Sequence, residues 1–160
     1  MIYIITGPTD SGKTTRLLRD FEKHPEADGF SCQKVFAEGA HIGYDLHHLP
    51  TGLSCPFIRN PQNIPPNWEE AARLGDRFSF SSAGLLFARH ITQNAILNNV
   101  SRFYLDEAGH LELKGQGFSN LITALIGSGT NLILVVRDTL VNQIIDTYKI
   151  TGCQLLEPDQ

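Results

Sequence analysis

Ile2-Tyr3-Ile4-Ile5 runs through Thr6 into Gly7-Pro8-Thr9-Asp10-Ser11-Gly12-Lys13-Thr14, and this stretch decides the fold. Its second part is a complete Gly-x-x-x-x-Gly-Lys-[Ser/Thr] phosphate-binding loop. That pattern has chemical meaning where a strand ends, a glycine loop turns and a helix begins. All three are in place: a β-branched and aromatic strand, the loop, then a helix over residues 13–23 with Leu17, Leu18 and Phe21 at helical spacing. Gly7 and Gly12 let successive backbone N–H groups turn inward as an anion nest, and the helix begins at that nest with its positive dipole end. Pro8, Thr9, Asp10 and Ser11 fill the variable part, where the backbone does most of the binding. Lys13 is expected at the β- and γ-phosphates, Thr14 on magnesium and Thr15 near the α-phosphate. The chain is expected to bind a nucleoside triphosphate or a similarly phosphorylated ligand.

Outward from the loop, apolar β-rich runs recur at residues 30–36, 102–105, 131–136 and 154–156. Helical patterns lie between them at residues 82–98, 116–126 and 140–148. Strands alternating with helices predict an α/β domain with a mostly parallel sheet flanked by helices on both faces. One segment, residues 38–60, breaks the alternation. Two strand-like pieces, 41–49 and 53–59, join through Leu49-Pro50-Thr51-Gly52 and read as an inserted β-hairpin, either a plain surface feature or a lid. An irregular loop rich in proline and asparagine is expected over residues 60–67.

A chain of 160 residues suits one domain, here residues 1–160. The net charge of −4 leaves no broad basic surface, so nucleic acid is not expected as a bulk partner. Cys32, Cys55 and Cys153 are odd in number and lack C-x-x-C spacing, so they read as reduced thiols and not as a disulfide framework or zinc site. No stretch is long enough to span a membrane, and a phosphate loop starting at residue 7 leaves no room for a leader ahead of it. A cytoplasmic location is the expectation.

The informative partner of the loop is Phe103-Tyr104-Leu105-Asp106-Glu107, an apolar strand ending in two adjacent carboxylates. An acid at the end of a strand neighbouring the loop strand suits the magnesium shell, and Asp106 fits that role. Glu107, expected just beyond the strand end, is placed to orient or deprotonate a water in line with the γ-phosphorus. Arg137 follows the run 132–136 and is the candidate cation for the transition state, against a plain salt bridge with Asp138. Arg59 and Arg77 are expected to face solvent. Glu112 is assigned a structural role in a polar network. His41, His47 and His48 are not expected to make a metal site, because alternation puts His47 and His48 on opposite faces and no fourth ligand with suitable spacing follows. Trp68, expected at the start of a short helix with Glu69 and Glu70, reads as a packing anchor ahead of a base-stacking platform.

Three segments carry a resemblance to a known family. Asp106-Glu107-Ala108-Gly109-His110-Leu111-Glu112-Leu113 resembles the Asp-Glu-x-Gly-x-Met/Leu-Glu stretch of the small nucleoside-triphosphatases related to the cancer-related nucleoside-triphosphatase. Residues 6–15 agree, as does Gly43-Tyr44-Asp45-Leu46 through Thr51-Gly52 to Arg59. The resemblance covers most of the chain and implies a RecA-like sheet, magnesium, and slow hydrolysis of several nucleoside triphosphates. It departs at His110, where the family often carries a basic residue, and at the carboxy terminus, where the family's Asn-Arg is missing.

The leading expectation is magnesium-dependent hydrolysis of ATP, GTP and other triphosphates, with Glu107, Lys13 and Arg137 catalytic. One rival is a kinase that passes the γ-phosphoryl group to a nucleotide or nucleoside. The other is a nucleotide-dependent adaptor for a protein partner. No Asn-Lys-x-Asp guanine-reading motif is present, so a GTPase switch is disfavoured.

Overall fold

The computed structural model describes residues 1–158; Asp159 and Gln160, the end of the expected domain, lie outside the described residues. The chain runs β1 (Ile2–Gly7), α1 (Lys13–Glu22), β2 (Asp28–Ala37), β3 (Ala40–His48), β4 (Ser54–Arg59), β5 (Glu70–Leu74), β6 (Phe78–Ser81), α2 (Ser82–Leu97), β7 (Arg102–Ala108), α3 (His110–Leu113), α4 (Ser119–Ser128), β8 (Asn131–Arg137), α5 (Val141–Thr147) and β9 (Gln154–Leu156). All nine strands join one sheet in the order β5-β6-β4-β3-β2-β7-β8-β1-β9.

The apolar runs sort their residues by alternation. Ile4, Phe103, Leu105, Leu132, Leu134 and Val136 belong to the larger core, with Ala88, Ile91 and Ala95 of α2, Ile122 and Leu125 of α4 and Ile144 of α5. Their sequence neighbours Ile5, Tyr104, Ile133 and Val135 belong to a smaller core with Leu17 of α1. Period two therefore sends successive residues to opposite helical layers, which is why these strands are apolar on both sides.

The sheet is mixed, which corrects the expectation of a mostly parallel one. The pairs β2/β7, β7/β8, β8/β1 and β1/β9 are parallel. The pairs β2/β3, β3/β4, β4/β6 and β6/β5 are antiparallel. Two local features account for this. Glu38 and Gly39 lie at φ 50° and 79° between β2 and β3, and two positive φ values in a two-residue loop make the tight hairpin that matches strand twist. β3 and β4 pair antiparallel as the expected hairpin does, and they are interior members of the sheet, between β2 and β6. In addition, Glu70-Ala71-Ala72-Arg73-Leu74 forms strand β5 where a short helix was expected; it carries no β-branched residue and pairs with β6 at the sheet edge.

Close approach explains Gly43. A Cβ there would lie 1.8 Å from the Ile58 carbonyl oxygen, beside a register shift in the β3/β4 ladder. Gly43→Ala should cost about 3 kcal/mol, because only backbone movement relieves the overlap. A chemical denaturation midpoint unchanged from the native chain would refute this close approach.

Candidate functional site

The parallel strands β1, β7 and β8 end on one edge of the sheet. Register fixes this: Gly7 stands opposite Arg137, while Thr6 and Ala108 both stand level with Val136. The sequence reading put the acid-bearing strand beside the loop strand, but β8 lies between β1 and β7. The two halves meet across it. The Thr14 hydroxyl donates to Asp106 at 3.0 Å, and the Cys32 N–H of β2 donates to the same carboxylate oxygen at 2.9 Å.

The loop turns as its residues dictate. Gly12 sits at φ 90° immediately before α1, a conformation glycine adopts without strain. Lys13 is buried, and its ammonium donates to the Pro8 carbonyl within the loop. The Ser11 hydroxyl is buried without a hydrogen-bond partner. It is packed against Gly7, which leaves the loop's backbone N–H groups as the donors for a bound phosphate. The Thr14 hydroxyl and the Asp106 carboxylate form a hard oxygen donor set that suits magnesium.

Asp106 is fully buried. Burial first, and then the Glu107 charge beside it, push its carboxyl up to about 7. Its bonds to Cys32 and Thr14 and the charge of Lys13 act in the opposite sense. Glu107 is not beyond the strand end. It lies within β7, where the β7/β8 register shifts between Leu105 and Ala108, so one extra residue bulges from the ladder. Glu107 sits there at φ 73°, a left-handed conformation that costs a residue with a Cβ about 1 kcal/mol or more. Its side chain is exposed into a cavity yet has protein on most sides. That loss of water pushes its pKa up, while the charges of Lys13 and Arg137 act in the opposite sense.

The cavity is about 600 Å³. It brings together Thr9, Asp10, Ser11, Gly12, Lys13, Thr14 and Thr15 with Glu107 and Arg137, while Gly7 and Pro8 complete the loop behind them. Its wall also carries the aromatics Tyr44, Phe57, Phe78, Phe80 and Phe118. The sequence reading gave none of these aromatics a place at the site. Lys34 was missed as well, although it is the one charge within the run at residues 30–36.

Other candidates fall elsewhere. Arg59, expected in solvent, is buried; its guanidinium pairs with Asp45 at 2.9 Å and donates to the Ile58 and Tyr44 carbonyls. It braces the β3/β4 turn of the ladder behind Tyr44, because a buried arginine must satisfy its donors within the protein. Arg77 is exposed over the Phe78 ring. Glu112 is buried and accepts from Gly109 N–H at 2.7 Å and Phe118 N–H at 2.9 Å, closing the loop that follows Glu107. His41 bonds the Gly43 carbonyl, and His48 bonds Asp28 and Thr51. Trp68 anchors on Ser79, with Arg59 over its ring. Among the described residues no helix is long and apolar enough to cross a membrane.

Two solved structures share this architecture. THEP1 from the hyperthermophile Aquifex aeolicus superposes with a TM-score of 0.72 at 20% identity, covering 98% of this chain and 89% of that one. A human cancer-related nucleoside triphosphatase superposes with a TM-score of 0.70 at 23% identity, covering 99% of this chain and 88% of that one. No curated protein matches the sequence significantly. A family model described as NTPase matches residues 2–157, the whole sheet with its phosphate loop and acid-bearing bulge. By that match the chain belongs to the NTPase family.

Proposed function

We propose that the chain is a magnesium-dependent hydrolase of nucleoside 5'-triphosphates, releasing diphosphate and phosphate. The observation that carries this reading is Glu107, held in a strained bulge and opening into the same cavity as Lys13 and the Thr14–Asp106 pair. The loop backbone from Gly7 to Thr15 cradles the phosphates, and Lys13 reaches the β- and γ-oxygens. Thr14 and Asp106 would hold magnesium, which when bound would supply positive charge at those oxygens. The Glu107 carboxylate accepts a hydrogen bond from the attacking water and takes its proton as the oxygen approaches phosphorus. Arg137, level with Gly7 at the sheet edge, neutralises charge developing at the γ-phosphoryl group. The free thiols of Cys32, Cys55 and Cys153 are in keeping with a cytoplasmic site of action.

Phosphate release from ATP, GTP, CTP and UTP, measured with magnesium and with chelator, tests this. Release from several of the four, abolished by chelator, is expected. No release from any of them would overturn the reading. The aromatic lining of the cavity favours a second reading, a kinase whose acceptor carries a planar ring against the half-buried Tyr44 and Phe78. In that case triphosphate is consumed only when an acceptor is added.

A further inference from the structure

Among the described residues, three cations other than histidine line the cavity: Lys13, Arg137 and Lys34. Lys13 belongs to the loop motif and Arg137 ends β8, but Lys34 comes from the middle of β2, two residues beyond the Cys32 N–H that holds Asp106. Its ammonium reaches across to the phosphate loop and pairs with the Asp10 carboxylate at 2.5 Å. Both members of the pair are substantially solvent-accessible. Directly across the ladder from Lys34 stands Tyr44, also on the cavity wall. Burial first, and then the Glu107 and Asp10 charges, push the Tyr44 phenol's pKa up, so Tyr44 shares an electrostatic neighbourhood with both carboxylates.

Asp10 occupies its place at a cost. It lies at φ 58° in the loop, a conformation that glycine would adopt more cheaply. The loop backbone does not need a carboxylate there, and an anion beside a phosphate nest opposes phosphate binding. What the carboxylate does is hold the Lys34 ammonium at the mouth of the nest. An exposed ion pair of this kind is weak and readily exchanged. A γ-phosphate brings more negative charge and three acceptor oxygens, so it competes well for the same ammonium.

We propose that Lys34 is the γ-phosphate-reading residue of this site: its ammonium leaves Asp10 for the terminal phosphate of a bound triphosphate, and the exchange makes the site prefer triphosphate over diphosphate. A lysine already touching the third variable residue of the loop is within side-chain reach of phosphates cradled by that loop. The exchange also couples loop to sheet, since the loop surrenders its tie to β2 as the ligand takes it. This inference rests on the nucleotide-binding part of the function proposed above and does not require hydrolysis.

Calorimetric titration of the full chain with the β,γ-imido analogue of ATP and with ADP, each with magnesium, tests it. Lys34→Ala should lower affinity for the analogue about ten-fold or more and leave ADP affinity unchanged. Lys34→Arg should keep most of the triphosphate preference. Asp10→Asn should raise analogue affinity several-fold, because no carboxylate then competes for the ammonium. Equal losses for both ligands in Lys34→Ala would overturn the proposal in favour of a loop-shaping role, and so would no loss for either. A preserved γ-specific loss in a protein that releases no phosphate would sustain Lys34 and sink the hydrolase reading.

Discussion

Replacing Glu107 with glutamine should lower phosphate release about 10³-fold and leave nucleotide affinity near that of the native chain. The Glu107 carboxylate opens into the same cavity as Lys13, where it can accept a proton from water, and glutamine keeps its size without its basicity. The loss combines a missing proton acceptor with poorer alignment of the water. Glu107→Gly should be as inactive but more stable by up to about 1 kcal/mol. It removes the left-handed strain at φ 73°, partly offset by the freedom glycine adds to the unfolded chain. Both variants are read by phosphate release and thermal melting together. A glycine variant less stable than the native chain would show that the bulge is unstrained. A glutamine variant that retains turnover would remove Glu107 from the chemistry.

The second large effect concerns Asp106 and pH. Its carboxyl sits at about 7 in the folded protein against 3.8 for the unperturbed group. The folded state therefore holds the proton over a range in which the unfolded state has released it. The stabilisation is fully present below about pH 4 and is lost as pH rises toward 7, a change on the order of 4 kcal/mol. Without magnesium, the melting temperature should fall more steeply over that window for the native chain than for Asp106→Asn, whose side chain does not titrate. Magnesium prefers the ionised carboxylate, so adding it at pH 7 should raise the melting temperature of the native chain and leave that of the asparagine variant unmoved. The same variant should release phosphate at least about 10²-fold more slowly. Parallel pH slopes for the two proteins would mean that Asp106 stays ionised throughout.

The sequence by itself determined the parts whose information is local. The strand, glycine loop and helix over residues 2–22 were legible because each demands residue types at fixed spacing: an apolar β-branched run, glycines where a Cβ would intrude, and leucines on one helical face. The runs that became β7 and β8 were legible because burial on both sides leaves them nearly continuous. Adjacent acids after such a run marked Asp106 and Glu107. Only the tertiary structure decided how these parts meet. Strand order put β8 between the two halves of the site, which no spacing along the chain encodes. The bulge that turns Glu107 into the cavity arises from a mismatch of register between β7 and β8, a property of two strands together. The turn at Glu38-Gly39 and the weakly β-forming β5 made the sheet mixed, because pairing with a neighbour supplied the stability that local propensity lacked. Arg59 and Lys34 show the same division. The sequence gives a cation in each place, but whether it is buried against Asp45 or reaches the phosphate loop at Asp10 depends on partners 14 and 24 residues away.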